Sequence, residues 1–422
     1  MSETMETGEQ IAVLGGGVVG IAAALELQRR GYRVTLIDRK QPGRETSYGN
    51  TGVLSDASIV ISNNPGLPAR LPQYILKKSN ALNYSLGFVL RNLPWVARFL
   101  SHCSDAHMNH AADALRAIQV LSLGIHKGLI EDAGAGHLLR RTGWLKLFRT
   151  EAGFKGYGRE RALLERTGVR HTVYGAEELR QLEPALKPRY FAGILLDECC
   201  SLSSPAALCD AYVGLFTAAG GTVRQAEAAA LSQDAHQKWT VTFTGGDSVT
   251  ADAVVIAAGP WSSEVAGWLG YRIPMAWERG YHLHLQPGPG PALNRAIHDV
   301  ERGYVMTPQQ QGVRVTSGVE LTHRDAPKND RQVRRAVASA RELADFGEPV
   351  EDEPWMGRRP TLVDSLPMIG AAPRHSGLWF DFGHQHTGVG MSTGSARILA
   401  DLLEGKKPPI DETPFRPTRF SL

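Results

Sequence analysis

This 422-residue sequence has few cysteines, no long apolar run and little net charge. No segment approaches the roughly 18 consecutive apolar residues that a membrane-spanning helix needs. The polar, acidic start MSETMETGEQ is unlike a signal peptide. The four cysteines, Cys103, Cys199, Cys200 and Cys209, contain no C-x-x-C pair, which argues against a disulfide framework or a zinc knuckle. We therefore expect a cytoplasmic protein.

The formal net charge of +3 is too small to indicate a nucleic-acid partner. The length exceeds what one ordinary hydrophobic core supports, so two domains are expected. Residues 66–103 contain no acidic residue and mix large apolar side chains with Arg and Lys. Helices that only cover their own domain are the preferred interpretation of such a basic amphipathic stretch. Peripheral contact with the anionic inner face of the cell membrane is the alternative.

The clearest local pattern follows the N-terminal tail. The apolar run 11–14 leads into Gly15, Gly17 and Gly20, which form G-x-G-x-x-G at the start of a helical pattern. Glycines at these positions allow a tight turn, close approach of the backbone to a pyrophosphate and close helix packing. The next strand, RVTLID, ends at Asp38, where a carboxylate would bind a ribose hydroxyl. A dinucleotide without a 2'-phosphate is predicted, and these residues leave NAD and FAD both open.

A second glycine-rich turn lies near the carboxyl terminus. The apolar segment LWFDF continues through GHQHTGVGMSTG into an amphipathic helical pattern, which offers another helix N-terminus to a negative group. The turn also matches the G-x-S-x-G nucleophile elbow of hydrolases. In the α/β-hydrolase fold the catalytic histidine follows the serine in the chain. No histidine follows His386 here, so hydrolase chemistry is disfavoured. A further buried-type strand, VVIAAGPW, ends in small residues that permit close approach of a ligand.

Histidines occur in two H-x-H pairs, at positions 282–284 and 384–386. Each pair would share one face of a strand, but no third ligand has the spacing of a metal site, and histidines in a polar cavity are preferred. Arg358 and Arg359 are adjacent, so in an extended segment only one can face a given cavity. A guanidinium there would bind a carboxylate with two hydrogen bonds, and a surface salt bridge is the alternative.

Four motifs in this order resemble the D-amino-acid oxidase superfamily of FAD enzymes, and most closely the bacterial D-amino-acid dehydrogenases. They are VLGGGVVG with Asp38, ETSYGNTG, VVIAAGPWS, and GRRPTLVDSLPMIG followed by GHQHTGVGMSTGSARILADLL. Together they extend over nearly the whole chain. The resemblance implies an α/β fold with a Rossmann-like, glutathione-reductase-like FAD-binding domain and a second, antiparallel-sheet substrate domain of the D-amino-acid oxidase type.

The domain boundaries are expected to be discontinuous. We predict that residues 1–60, 191–270 and 351–422 form the FAD-binding domain. Residues 61–190 and 271–350 would form the substrate-binding domain, with the cofactor between the two.

The resemblance and the motifs also predict which residues contact FAD. In the family, the loop that resembles ETSYGNTGVL passes along the pyrophosphate and then one side of the isoalloxazine. The glycine-rich turn near the carboxyl terminus would present backbone N–H groups to the flavin carbonyl end and stabilise charge on the reduced ring. The predicted cofactor residues are Gly15, Gly17, Val18, Val19, Gly20, Asp38, Arg39, Thr46, Ser47, Asn50, Thr51, Gly52, Val53, Ala229, Ala258, Gly259, Trp261, Gly383, Thr387, Gly388 and Val389.

The substrate residues come from the resemblance alone. Arg359 occupies the G-x-R-P position whose arginine binds the substrate carboxylate, and Tyr304 matches the tyrosine that shares that carboxylate. His386 lies where relatives place differing residues near substrate and flavin. Thr51 and Val53 stand where close dehydrogenase relatives usually have alanine and glutamine, so the pocket beside the flavin is expected to favour different side chains.

The predicted reaction is FAD-dependent oxidative deamination of a D-amino acid, with hydride transfer from the alpha carbon to flavin N5 and electrons passed to a membrane quinone. One alternative is an oxidase or dehydrogenase of glycine, sarcosine or cyclic imino acids such as D-proline or hydroxy-D-proline. An NAD-dependent dehydrogenase and a non-enzymatic FAD-binding redox sensor are the others. No metal and no nucleic acid are expected to take part.

Overall fold

The computed structural model describes residues 6–69, 72 and 82–422, and its centre is a six-stranded sheet. Neighbouring strands run parallel except for the last pair, which is antiparallel. In spatial order the strands are Thr222–Gln225, Arg33–Asp38, Gln10–Leu14, Ala253–Ile256, Leu378–Phe382 and Met368–Ala371.

Both faces of this sheet are covered, which explains why its central strands are apolar throughout. Val13 and Val255 pack on the side of the N-terminal helix Val18–Arg29 and the C-terminal helix Gly388–Leu403. Ala12 belongs to the core on the other side, where a three-stranded antiparallel sheet packs. That sheet consists of Ala228–Gln233, Trp239–Phe243 and Ser248–Ala251. Parallel sheets buried on both faces carry such continuous apolar runs.

A larger, mostly antiparallel sheet of eleven strands forms the second part of the molecule. One of its faces packs on the helix Arg331–Leu343, and the other faces the loop 45–56. Its strands are Leu82–Tyr84, Val319–Leu321, Met275–Pro287, Gly312–Thr316, Tyr304–Gln309, Ala296–Asp299, Trp144–Phe148, Ala192–Leu196, His171–Gly175, Phe346–Pro349 and Trp355–Leu362. A small sheet of Val53–Leu54, Cys200–Leu202 and Leu139–Arg140 connects this part to the loop.

The remaining helices surround the two large sheets. The long helix Asp105–Asp132 begins at Ser104, whose Oγ accepts a hydrogen bond from the amide of His107 at 3.1 Å. It crosses the C-terminal helix, where Ser122 and Thr393 share a hydrogen bond of 2.9 Å. The other helices are Leu86–Arg91, Leu93–Ser101, Glu151–Gly156, Gly158–Arg166, Ala176–Leu182, Pro205–Ala218 and Ser262–Gly267, with 3-10 turns at Gly136–Leu138, Gly259–Trp261, Thr413–Phe415 and Pro417–Arg419.

The predicted fold class is confirmed, since a Rossmann-like sheet and a second antiparallel sheet are both present. The predicted domain boundaries differ from the structure at two strands. Ala192–Leu196 and Trp355–Leu362 fall in ranges predicted for the FAD-binding domain but pair within the eleven-stranded sheet. Apolar runs identify strands without identifying the sheet that they join, which is why the sequence misplaced them.

The membrane prediction concerned residues 66–103, of which 70, 71 and 73–81 lie outside the described residues. Across the part of the chain that the structure describes, no helix combines the length and apolarity needed to cross a bilayer. Leu86, Leu90 and Leu93 are exposed on two consecutive short helices, at 66%, 59% and 52% of their surface.

Candidate active site

A cavity of about 300 Å³ lies at the carboxyl ends of the parallel strands. In doubly wound sheets this edge is where nucleotide ligands bind. The predicted cofactor residues that line the cavity come from five separate segments of the chain. They are Gly15, Gly17, Val18, Val19, Asp38, Arg39, Thr46, Ser47, Asn50, Ala258, Gly259, Trp261, Gly383, Gly388 and Val389.

The first glycine turn leaves no room for side chains. Gly15 has a φ of +115°, and a Cβ atom there would lie 2.4 Å from the carbonyl oxygen of Ala257. A Cβ on Gly20 would lie 1.9 Å from the carbonyl oxygen of Gly15. Gly20 therefore does not line the cavity but lets the N-terminal helix start directly against the turn, which brings the helix dipole to the cavity.

Both glycine-rich turns present backbone N–H groups without acceptors. At the N-terminal helix, the amide of Val18 donates to Ser47 Oγ at 2.9 Å, and the amide of Val19 has no acceptor among the described residues. At the C-terminal helix, the amides of Gly388 and Val389 also have no acceptor among the described residues. Two helix N-termini that face one cavity fit a ligand with separated electron-rich groups, as in a dinucleotide.

Asp38 closes the cavity beside the first turn. Its Oδ2 accepts a hydrogen bond from the amide of Gly16 at 2.6 Å, and its Oδ1 accepts one from the amide of Lys40 at 2.8 Å. Burial raises the pKa of Asp38, and the two backbone hydrogen bonds oppose that shift. Next to it, the guanidinium of Arg39 lies 4.0 Å above the Trp261 ring. A carboxylate fixed in this way fits a ribose hydroxyl, as the sequence predicts.

The loop 45–56 is held against the eleven-stranded sheet by a buried arginine that sequence reasoning missed. Arg314 donates from Nη1 to the carbonyl oxygens of Tyr48 and Asn50 and from Nε to His284 Nε2, at 2.7, 2.6 and 3.0 Å. His284 Nδ1 pairs in turn with Glu351. The alternation in GVRVT places this arginine in phase with one face of a strand, which is the signal that could have identified it.

The end of the loop belongs to the small sheet rather than to the cavity. Val53 pairs with Ser201, and a Cβ on Gly52 would lie 2.9 Å from the carbonyl oxygen of Leu202. Thr51 also does not line the cavity. Thr387 donates from Oγ1 to the carbonyl oxygen of His384 and so shapes the second turn. The predicted cofactor residue Ala229 is exposed, and its neighbour Ala228 lines the cavity instead, because alternate residues of this strand face opposite sides.

A buried cluster of Asp381, Ser395 and His384 lies under the second turn, and it was not predicted from the sequence. Ser395 Oγ donates to Asp381 Oδ1, and His384 Nε2 lies 2.9 Å from Ser395 Oγ. Burial raises the pKa of Asp381 to about 8 and lowers the pKa of His384 to about 3. Both Asp381 and His384 line the cavity, and Asp381 Oδ2 has no hydrogen-bond partner. Near neutral pH both side chains are mainly uncharged.

Arg359 lies on the face of the eleven-stranded sheet that is turned toward the loop 45–56. Its strand partner is Glu278, and a Cβ on Gly280 would lie 2.2 Å from Arg359 Nη2, so the glycine makes room for the guanidinium. Among the described residues, no hydrogen bond or ion pair within bonding distance engages this guanidinium. Burial lowers the pKa of Arg359, and the charge of Glu278 opposes that shift. The group is therefore free to bind an anion.

His386 projects into the space beside Arg359. The residue is accessible from the space that it borders. Desolvation by the surrounding protein lowers the pKa of His386, and the positive charges of Arg359 and Lys146 lower it in the same direction. Its carbonyl oxygen accepts a hydrogen bond from Asn50 Nδ2 at 3.1 Å. His386 is thus neutral near pH 7.

Tyr304 does not lie beside Arg359, in contrast to the arrangement that the resemblance implies. Its side chain is buried on the opposite face of the sheet, under the helix Arg331–Leu343. There its hydroxyl accepts a hydrogen bond from Arg149 Nη2 at 3.3 Å, and Asp299 and Ser339 lie nearby. Side chains alternate between the faces of a strand, so Tyr304 cannot reach a ligand on the Arg359 side without a change of register.

The histidine pair at 282–284 is part of the sheet face. His282 is buried with both ring nitrogens unpartnered and stacks on Trp355 at 4.8 Å between ring centroids. Within the described ranges, no group of three or more His, Cys, Asp or Glu side chains has an arrangement that could hold a metal ion.

Comparison with known proteins matches residues 10–402 to the DAO protein family, described as FAD dependent oxidoreductase. A D-amino-acid oxidase from Bradyrhizobium diazoefficiens is 32% identical over 426 residues, covering 99% of this chain and 100% of that protein. A D-amino acid dehydrogenase from Chromohalobacter salexigens is 30% identical over 430 residues, covering 98% of this chain and 100% of that protein. The crystal structure of glycine oxidase from Geobacillus kaustophilus superposes with a TM-score of 0.74 at 22% identity, covering 98% of this chain and 99% of that one.

Proposed function

The chain belongs to the DAO family of FAD-dependent oxidoreductases, and we propose that it catalyses the oxidative deamination of D-amino acids. The resemblance inferred from the four motifs is thereby confirmed, and FAD rather than NAD is the cofactor. The observation that carries the proposal is the free guanidinium of Arg359 on the sheet face turned toward the loop that lines the cofactor cavity. Relatives named for D-amino-acid oxidation align along nearly the full chain.

The cavity residues fit FAD in three respects. Gly15 leaves space for a close backbone approach, the free amides of two helix N-termini suit electron-rich groups, and Asp38 is held ready for a ribose hydroxyl. When bound, FAD supplies the acceptor at N5 for the hydride that leaves the alpha carbon of the substrate. The N-terminal dipole of the helix Gly388–Leu403 would stabilise negative charge that accumulates nearby.

Arg359 would bind the carboxylate of the amino acid with two hydrogen bonds, which fixes both the position and the rotation of the substrate. Glu278 lies on the neighbouring strand and keeps the guanidinium charged in a buried setting. Neutral His386 adds no positive charge next to the substrate amine, which must be unprotonated to give up a hydride. No side-chain base is required at the alpha carbon, because its hydrogen leaves with the bonding electron pair as a hydride while the amine lone pair forms the imine. The imine product then hydrolyses in water to a 2-oxo acid and ammonia.

Electron transfer to a membrane quinone is the second part of the proposal. Leu86, Leu90 and Leu93 form an exposed apolar set, and Arg91 lies within the same short helices. Apolar side chains next to basic ones suit the surface of an anionic bilayer. Cosedimentation with anionic vesicles tests the contact, and a Leu86→Ser, Leu90→Ser double variant should bind them less. Faster turnover with oxygen than with a soluble quinone would argue against a quinone as the electron acceptor.

Anaerobic mixing of the FAD-loaded protein with a substrate panel tests the main proposal. The panel holds D- and L-amino acids, glycine, sarcosine, D-proline and hydroxy-D-proline. We expect several D-amino acids to bleach the flavin absorbance and their L-enantiomers to leave it unchanged. Bleaching by glycine, sarcosine or a cyclic imino acid alone would assign the alternative substrate class. No bleaching by any amine would favour a redox sensor that binds FAD without catalysis.

A further inference from the structure

Lys146 is a buried ammonium group in the strand Trp144–Phe148. Only 6% of its surface is exposed. Its Nζ donates a hydrogen bond to Tyr157 Oη at 2.7 Å and lies 5.2 Å from the centre of the Trp144 ring. Among the described residues, no carboxylate forms an ion pair with Lys146. A lysine can donate three hydrogen bonds, so two of its donors have no strong acceptor.

Three other cations of the same part of the molecule have carboxylate partners. Side-chain nitrogens of Arg149, Arg279 and Arg295 lie 2.7, 3.3 and 3.0 Å from carboxylate oxygens of Asp299, Glu320 and Glu183. Buried Arg314 has no carboxylate partner among the described residues, but it donates to two backbone carbonyl oxygens and to His284. An unpaired charge removed from water is costly. Lys146 has only the Tyr157 hydroxyl as an acceptor among the described residues, so an anion from outside the chain would supply the missing partner.

The register of the strands places Lys146 on the ligand-facing side of the sheet. Lys146 pairs with His298 on the next strand, so the two side chains lie next to each other on one face. Leu145 and Leu147 point to the opposite face and pack under the helix Arg331–Leu343. Arg359 also lies on this face of the sheet, and the positive charges of Arg359 and Lys146 both lower the pKa of His386.

Two buried polar groups near the ammonium have no hydrogen-bond partner among the described residues. The Trp144 and His298 rings stack at 5.9 Å between centroids. Trp144 Nε1 and His298 Nδ1 are both buried without a hydrogen-bond partner. Burial lowers the pKa of His298 to about 3, so the ring is neutral and one of its nitrogens carries a proton. An apolar stem could lie along the Trp144 ring while its anionic end accepts from Lys146.

We propose that Lys146, Trp144 and His298 form a subsite for a second carboxylate, which makes acidic D-amino acids the preferred substrates. This inference rests on the proposed function, because the first carboxylate is the one assigned to Arg359. The side-chain carboxylate balances the charge of Lys146, while a neutral side chain of the same shape leaves it unpaired. Binding a neutral side chain is penalised because it leaves the buried charge of Lys146 unpaired. The preference for acidic substrates therefore comes from weaker binding of neutral ones as much as from tighter binding of acids.

The substrate comparison uses isosteric pairs with the FAD-loaded wild-type protein under anaerobic conditions. D-Glutamate is compared with D-glutamine, and D-aspartate with D-asparagine, through the rate of flavin bleaching. A hydrogen bond to a charged group that is lost to an amide corresponds to roughly a tenfold to hundredfold lower kcat/KM. We expect at least one acid to exceed its amide by that factor. Equal rates within both pairs, or faster reaction of the amides, would overturn the proposal.

Two variants test the residue itself. Lys146→Met keeps the length of the side chain without its charge and should abolish the preference for D-glutamate over D-glutamine. Lys187→Met is the matched control, because Lys187 is a surface lysine whose Nζ lies 2.6 Å from Asp345. If Lys146→Met lowers the rates with D-glutamate and D-glutamine equally, the lysine is structural. If this variant does not fold, the comparison of each acid with its amide in the wild-type protein still tests the proposal.

Binding without turnover separates the two proposals. Glutarate and butyrate are titrated into the holoenzyme and followed by the shift of the flavin spectrum. Glutarate should bind about tenfold or more tightly than butyrate in the wild type, and the difference should vanish in Lys146→Met. If no D-amino acid bleaches the flavin but glutarate still binds selectively, the proposed function fails and the anion subsite stands. If D-alanine bleaches the flavin but glutarate and butyrate bind equally, only the subsite fails.

Discussion

Arg314 donates a hydrogen bond from Nη1 to the carbonyl oxygen of Asn50 at 2.6 Å. Because a second bond from the same atom reaches the carbonyl oxygen of Tyr48, one buried guanidinium fixes the loop that forms a wall of the cofactor cavity. The conformation of this wall therefore depends on a residue in the other sheet. The two parts of the molecule therefore meet at the cofactor through this contact.

Replacing Arg314 with Met should destabilise the protein and loosen the cofactor site. Removing the cation leaves two carbonyl oxygens and His284 without their donor. We expect the free energy of unfolding to fall by about 3 to 5 kcal/mol, as measured by urea denaturation. Arg335→Met serves as the control, because Arg335 is exposed on the helix Arg331–Leu343. Identical unfolding midpoints for the two variants would contradict the role given to Arg314.

Arg359→Ala should lower kcat/KM for every accepted amino acid. Loss of one partner of a buried charge pair costs about 2 to 5 kcal/mol, which corresponds to roughly a thirtyfold to several-thousandfold decrease. Arg358→Ala is the matched control, since Arg358 points to the other side of the strand and donates from Nε to the carbonyl oxygen of Arg324 at 3.0 Å. Steady-state kinetics that change equally in both variants would refute a specific carboxylate site at Arg359.

Asp38→Ala should weaken the retention of FAD without abolishing the fold. The substitution removes the acceptor for the amides of Gly16 and Lys40 as well as the proposed contact with the ribose. A charged hydrogen bond contributes about 1.5 to 3 kcal/mol, so the dissociation constant for FAD should rise roughly tenfold to hundredfold. Asp38→Asn keeps one acceptor oxygen, so its dissociation constant for FAD should lie between those of the wild type and of Asp38→Ala. Unchanged FAD content after gel filtration and dialysis of the Ala variant would count against this assignment.

Asp381 should make the stability of the protein depend on pH in a defined direction. Its pKa in the folded state is raised to about 8 by burial, while an unfolded Asp has a pKa of about 3.9. The folded state therefore holds the proton more tightly, and this contribution is full below about pH 4 and is lost as the pH rises toward 8. Asp381→Asn should gain stability relative to the wild type between pH 5 and pH 8. Urea denaturation that shows a constant difference across this range would contradict a protonated Asp381.

The sequence was sufficient for the features that depend on local spacing. Gly15, Gly20 and Asp38 lie within one strand, helix and strand unit, so their roles follow from the turn that the chain must make. The two helix N-termini at the cavity follow in the same way from glycine-rich turns after apolar strands. Such motifs carry their geometry within a few residues.

The sequence was insufficient where the role depends on the face of a strand or on its sheet. Tyr304 and Arg359 lie in strands of one sheet, but the pattern around Tyr304 does not show that its side chain points away from the cavity. Lys146 and Arg314, in WLKLF and GVRVT, are cations in otherwise apolar strands, and only the assembled sheet shows that both lie on the ligand side. A cation within an apolar strand is a signal for such sites, since an unpaired buried charge is seldom tolerated.

The most direct test of the proposed carboxylate site is anaerobic flavin reduction by D-alanine in the wild-type protein and in Arg359→Ala, each loaded with FAD and measured side by side. We expect rapid loss of the flavin absorbance in the wild type, formation of pyruvate and ammonia, and a rate at subsaturating substrate at least about thirtyfold lower in the variant. A wild-type flavin that stays oxidised with every D-amino acid, or equal reduction rates in the two proteins, would contradict it.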